Sequence, residues 1–224
     1  RLSQGPRVEE FQKKYSEYIG TDFGVAVNSG SSANLIALAA LVKSGMVKKG
    51  SEVIIPATTF TTVVSPIIQN GLIPVFVDVD RDTYNISVTE IEKAINDNTG
   101  LIMPVHTLGL SADMDGIMKL ANKYNLPVLE DCCEAHGASN MTTGEGGMVM
   151  TSNEELNDLL FQLREFGRLK KYENNKGRFY YNNGELKDFD ERYAFEVVGY
   201  NLRMTDVCAS LGIPQLQKLD KLND

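Results

Sequence analysis

Basic charge is in deficit, cysteine is scarce, and no long apolar run occurs. The net charge of −8 argues against a nucleic-acid or anionic-membrane partner, because both demand a basic patch. A local pocket can still oppose the global charge and take an anionic substrate. The three cysteines, Cys132, Cys133 and Cys208, give no metal spacing and no disulfide framework, so no metal site is expected. Cys132 and Cys133 are adjacent and would be strained as a pair, which points to a reducing, cytoplasmic setting. No apolar run approaches a membrane span, and no signal-peptide pattern is present. Residues 1–6 read as the middle of a protein rather than its start. Neither G-x-G-x-x-G nor G-x-x-x-x-G-K-[ST] occurs, which counts against an ordinary nucleotide-binding module. There is no internal repeat. What the chain does have is 42% hydrophobic residues over a length of 224, enough for a full core without disulfides.

Short β-rich apolar runs alternate with helical patterns over the first two thirds. Strands are expected at 23–28, 52–56, 73–79, 101–105, 127–130 and 147–150. Helices are expected at 33–43, 60–69, 88–96, 113–124 and 153–166. Runs such as EVIIP and PVFV are apolar on both faces, as in a parallel sheet covered by helices on both sides. The expected fold class is therefore α/β. Ligands of such sheets sit beyond the carboxyl ends of the strands. The polar tips collect there: Asn28 to Ser32, Thr58-Thr59, His106 and Glu130-Asp131. Residues 170–190, rich in Lys, Asn, Tyr and acids, read as a long surface excursion.

One spacing conflicts with this scheme. The strands at 127–130 and 147–150 are separated by little more than a loop, whereas a parallel crossover needs roughly a dozen or more residues, usually with a helix. Either the two strands are antiparallel neighbours, or residues are missing at the join Ser139-Asn140. The expectation is the second.

Four constellations are candidates for chemistry. Asn28-Ser29-Gly30-Ser31-Ser32-Ala33-Asn34 carries a strand end into a helix. Its small residues and free helix N–H groups suit a phosphate, although a plain serine N-cap needs no ligand. In Glu130-Asp131-Cys132-Cys133-Glu134-Ala135-His136-Gly137, two acids stand at the mouth of an apolar strand, which is costly unless they are used or solvated. Asp131 can hold a pyridinium nitrogen protonated, serve as a magnesium ligand, or cap a helix. Met141 to Gly147 is a turn rich in Gly and Thr entering a strand. Gly199-Tyr200-Asn201-Leu202-Arg203-Met204-Thr205 leads from a turn into a helix.

Together and in this order, SGSSAN, PATTF, PVFVDVD, PVHTLGLSADMD, VLEDCCEAHGA, NMTTGEGGMV and GYNLRMTD resemble the DegT/DnrJ/EryC1/StrS family of PLP-dependent sugar aminotransferases. The resemblance implies the large domain of a fold type I PLP-dependent transferase, with a mostly parallel central sheet flanked by helices. Residues 1–212 would form that PLP-binding domain, and 213–224 would begin the connection to a small C-terminal domain. It also implies pyridoxal or pyridoxamine 5'-phosphate as cofactor. Gly30, Ser31 and Ser32 would hold the phosphate, and Phe60 would stack on the ring. Asp131 would pair with the ring nitrogen, and Glu134 would lie on the ring's hydroxyl side. Asn201 would reach the phosphate of the neighbouring subunit, giving a homodimer with shared sites. His106 is expected to line the site rather than to catalyse. The family's Schiff-base lysine falls immediately before Asn140, where this chain has Ser139, and no lysine occurs between Lys123 and Lys170.

The implied function is amino transfer, with glutamate as donor, to a keto sugar nucleotide in deoxyamino-sugar or surface-polysaccharide biosynthesis. A second reading within the same family is a sugar 3-dehydratase, which carries histidine in place of the lysine. The long 170–190 stretch and Glu134 fit that branch. A third reading, from another class, is a non-catalytic regulatory relative. It applies if Ser139-Asn140 is a genuine join.

Overall fold

The computed structural model describes residues 4–135, 143–168, 180–181, 184–185 and 195–219. An unforeseen helix, α1 (Pro6–Ile19), comes first. It has proline at its start and a left-handed Gly20 at its end, both ordinary terminators. Val8, Phe11 and Tyr15 recur at helical spacing and turn inward. The alternation then runs β1 (Phe23–Val27), α2 (Gly30–Lys43), β2 (Glu52–Pro56), α3 (Thr61–Gln69), β3 (Ile73–Val77), α4 (Val88–Ala94), β4 (Thr99–Ile102) and α5 (Met114–Tyr124). After it come β5 (Gly147–Thr151), α6 (Glu154–Arg164), the short strands β6 (Tyr180–Tyr181) and β7 (Gly184–Glu185), and α7 (Asp206–Leu216). Helix α7 passes through residues 212 and 213, the expected edge of the domain.

Strands β3, β2 and β4 are parallel, in that order. The run expected as a strand at 127–130 lies parallel beside β4, joined by isolated bridges from Val128 to Ile102 and from Asp131 to Val105. It falls short of a regular strand, and β4 is shorter than expected, because Pro104 and Pro127 each lack an amide for the ladder. Strand β5 is not a parallel neighbour of that run. It pairs antiparallel with β1, Val25 opposite Val149. This corrects the crossover argument: no parallel crossover links 127–130 to 147–150. The Ser139-Asn140 join itself lies outside the described residues.

The helix boundaries have local causes. Helix α2 starts three residues earlier than expected, because the Ser29 hydroxyl accepts from the Ser32 amide and caps it. Helix α6 stops at Arg164, two residues early. Phe166 and Gly167 follow with φ of 65° and 86°, outside the helical region.

Both faces of the sheet segments are covered. Leu38 and Leu41 of α2, with Val63 and Ile67 of α3, pack on Val53, Ile55, Leu101 and Met103. The opposite face takes Ile91 of α4 and Ile117 and Leu120 of α5. Ile36, Ala37 and Ala40 of α2 pack on Val25, Val27 and Val149. Helices α1 and α7 cover the other side of β1 at Ala26.

Arg164 is only 1% exposed, unusual for an arginine, and its Nη2 lies 3.4 Å from Glu165 Oε1. Its Nη1 donates to Gln12 Oε1 at 2.8 Å and to the Ala26 carbonyl at 2.9 Å. The guanidinium also lies 4.6 Å from the Phe161 ring centre. Burial lowers its pKa to about 10, so it stays protonated at neutral pH. It fastens α6 to α1 and to the outer edge of β1. Arg164→Met leaves the Ala26 carbonyl without that donor and should cost about 3 kcal/mol, measured as a lowered urea midpoint at unchanged m value.

Candidate functional site

Of the polar strand tips, the start of α2 and Glu130-Asp131 share one cavity. Asp131 is buried at 5% exposure. Its Oδ2 accepts from Asn34 Nδ2 at 2.7 Å and its Oδ1 from the Cys133 amide at 3.0 Å. A carboxylate has acceptor capacity beyond two bonds, so Asp131 is oriented without being saturated. Asn34 sits one turn into α2, four residues after Gly30, and therefore on the same helix face. Gly30, Asn34 and Asp131 line one end of a cavity of about 650 Å³.

The start of α2 is crowded with serine but unevenly used. Ser32 is buried; its hydroxyl donates to Asn28 Oδ1 at 2.7 Å and its amide donates to Ser29 Oγ at 3.1 Å. The Ser32 hydroxyl is thus already engaged with Asn28. Ser31 and Gly30 are exposed. A side chain added at Gly30 would meet nothing within 4 Å, so open space lies over the first turn of α2. Gly147 makes the approach of β5 possible, since a Cβ there would collide with the Ser29 carbonyl and lie 2.8 Å from the Gly30 amide. That requirement explains the last glycine of the GEGG run.

Phe60 is 68% exposed, which excludes the ordinary alternative of one more core aromatic. It is the N-cap residue of α3, beside Thr59, whose buried hydroxyl has no hydrogen-bond partner. Glu134 is exposed, and its carboxylate accepts from the Leu108 amide at 2.6 Å. Asn201 is exposed, accepts from Arg203 Nε at 3.1 Å, and bridges the backbone at Glu165. Next to it the Asn28 amide donates to the Leu202 carbonyl at 2.9 Å, which holds the GYNLR run along the outer edge of β1. Phe60, Glu134 and Asn201 do not line the cavity itself.

His106 is buried, with Nδ1 accepting from the Ala112 amide and Nε2 lying 3.0 Å from Glu130 Oε2. The proton therefore belongs on Nε2, and both nitrogens are engaged; His106 does not line the cavity itself. His106, Glu130 and Cys132 bring ligand atoms within 4.8 Å of one another, a grouping that sequence spacing does not reveal. Burial, with the charges of Glu130 and Asp131, pushes the Cys132 thiol up to about 12. A thiol so protonated is a poor metal ligand. Burial also raises Cys133 to about 12, helped by its hydrogen bond to Asp131.

The DegT/DnrJ/EryC1/StrS aminotransferase family model matches residues 1–141 and 138–224. The chain belongs to this family. Among curated family relatives, the lipopolysaccharide biosynthesis protein RfbH of Salmonella typhimurium is 39% identical over 251 residues, covering 98% of this chain and 57% of that protein. A crystal structure of GDP-4-keto-6-deoxymannose-3-dehydratase with a trapped PLP-glutamate geminal diamine superposes with TM-score 0.84 at 31% identity, over 99% of this chain and 63% of that one. An aminotransferase from Psychrobacter cryohalolentis also reaches 0.84, at 33% identity, over 97% and 57%. The fold is thus the expected type I fold of PLP-dependent enzymes. The chain spans little more than half the length of the curated relatives it matches.

Asn34 and Thr59 went unassigned beforehand, although both lie inside the SGSSAN and PATTF motifs. Only contact with Asp131 reveals the role of Asn34. At pH 8 a thiol-specific alkylating reagent should modify Cys133 at least about 100-fold more slowly in the folded chain than in urea, because so little thiolate is present. Equal rates would remove the protonated-thiol assignment.

Proposed function

We propose that this chain forms the cofactor-binding part of a PLP-dependent enzyme that moves an amino group from glutamate to a keto sugar nucleotide. The observation that carries the proposal is Asp131, buried at a strand tip and oriented by Asn34 beside the open N-terminus of α2. The orphaned Thr59 hydroxyl and the open space over Gly30 fit a polar ligand at that mouth. Pyridoxal phosphate, when bound, supplies an electron sink whose strength depends on a protonated ring nitrogen. The Asp131 carboxylate would hold that proton at the nitrogen. The backbone at Gly30 and Ser31 would receive the phosphate at the start of α2. The exposed Phe60 ring would offer an apolar face to the pyridine, and Glu134 would stand near the ring's hydroxyl. Asn201, exposed at the molecular edge, would serve the site of a second copy.

A second reading, sugar-nucleotide 3-dehydration with pyridoxamine phosphate held non-covalently, is favoured by one specific observation. The chain has no lysine from residue 124 to 169, and among its structural relatives is a 3-dehydratase. If the join at Ser139-Asn140 carries no further residues and no cofactor binds, a non-catalytic relative remains.

Borohydride reduction of the protein with pyridoxal phosphate, followed by peptide mapping over every lysine of the chain, separates these readings. A pyridoxyl-lysine supports amino transfer. Bound cofactor without a covalent adduct supports dehydration, and no bound cofactor sinks both. In the active enzyme, Asp131→Asn should lower turnover by roughly 100-fold or more while cofactor binding is partly retained, followed by cofactor absorbance and steady-state rate. Normal turnover in that variant would remove Asp131 from its role.

A further inference from the structure

The loop after β3 and the loop after β4 meet beside Glu134. Residues 107–110 of the second loop make a tight turn, with the Leu110 amide donating to the Thr107 carbonyl at 3.0 Å. At its corner Leu108 and Gly109 have φ of 54° and 83°, both left-handed. Glycine adopts that backbone freely, whereas in leucine the Cβ crowds the following carbonyl. The Leu108 side chain is 79% exposed, so burial does not compensate. A residue held in this way needs neighbours that impose the conformation.

Glu134 is one such neighbour. Its Oε2 accepts from the Leu108 amide at 2.6 Å, and a Cβ at Gly109 would lie 3.4 Å from its carbonyl oxygen. The single bond orients the carboxylate without exhausting its acceptor capacity.

Asn85 is the other. It is 3% exposed and belongs to the loop between β3 and α4. Its Oδ1 accepts from the Thr107 amide at 2.9 Å, and its Nδ2 donates to the Leu110 carbonyl at 3.0 Å. One side-chain amide thus grips both ends of the turn. Leucine offers no polar atom for this, and an ionised aspartate only accepts. The grip is itself anchored. The Asp80 amide donates to the Asn85 carbonyl at 2.8 Å, and Val79 bridges Ile86. Asp80 Oδ1 accepts from the amides of Asp82 and Thr83, each at 3.0 Å. Ile86 is buried in the core with Ile54 and Val77.

We propose that Asn85 is a positioning residue: by clamping the 107–110 turn it aims the Leu108 amide at Glu134 and so fixes the direction of that carboxylate. The meaning of Glu134 as the acid near the cofactor's ring hydroxyl rests on the proposed function. The clamp does not, because it is read in the chain without cofactor.

The first measurement is hydrogen exchange at the position 108 amide, resolved by NMR in the cofactor-free chain. Asn85→Ala should speed it at least about tenfold, since the turn loses both ties. Adding Leu108→Gly to Asn85→Ala should recover most of the protection, because glycine keeps the left-handed backbone unaided. Glu134→Ala, at an exposed position, should also speed exchange there and serves as the second variant if Asn85→Ala fails to fold. In the active, cofactor-loaded enzyme, Asn85→Ala should lower turnover about tenfold when Glu134 is present. In a Glu134→Gln background the loss should be less than about twofold. Unchanged exchange at position 108 in Asn85→Ala or Glu134→Ala overturns the proposal. Equal loss of turnover in the two backgrounds also overturns it, since a merely structural role would act on both alike. If Glu134→Gln alone keeps ordinary turnover, the functional reading of Glu134 fails, and the exchange rates alone decide the clamp.

Discussion

Helix α2 is wedged between two sheet segments, and its burial organises the rest of the molecule. Leu38 and Leu41 pack on the β3-β2-β4 segment, while Ile36, Ala37 and Ala40 pack on β1 and β5. A helix so placed cannot carry a polar stripe along its length. Its polar residues are confined to its ends: Ser31, Ser32 and Asn34 near the start and Lys43 at the finish. Because α2 touches both segments, the position of its N-terminus relative to Asp131 is set by the cores beneath it. The Asn34–Asp131 hydrogen bond is the polar expression of that apolar constraint.

The site inherits its geometry from this arrangement. An aspartate at a strand tip, a helix N-terminus with open space above it, and an exposed aromatic at the start of α3 come from the end of the 127–131 run, the β1–α2 junction and the β2–α3 junction. Each junction is built by local rules of capping and turn geometry, and sheet pairing brings them into register. Close approach of β5 to Ser29 is the tightest of these contacts, and it leaves no room for a side chain at Gly147. The cavity continues from this mouth between β5 and the 127–131 run. One end of that cavity is polar and suited to a ligand, and the remainder is lined by strand edges and apolar side chains.

Much of this was legible in the order of residues. Alternating apolar runs and helical patterns gave the α/β class, and the motif series gave the family, because short-range preferences and motif spacing are written directly in sequence. Gly30, Asp131 and Phe60 were identifiable on the same ground. Phe60 is exposed at the start of α3, while Ser32 is buried with its hydroxyl on Asn28. Helix α1 was overlooked although its apolar spacing was present, since no motif drew notice to it.

What the sequence by itself determined was the local elements, the family and the identities of the polar tips. Only the tertiary structure decided that β5 runs antiparallel to β1, that Asn34 orients Asp131, and that Arg164 is buried as a fastener. The physical reason is that pairing direction and burial depend on contacts between residues far apart in the chain. Gln12 and Arg164, or Asn34 and Asp131, meet only after the helices have packed, and nothing in their local sequence specifies the partner.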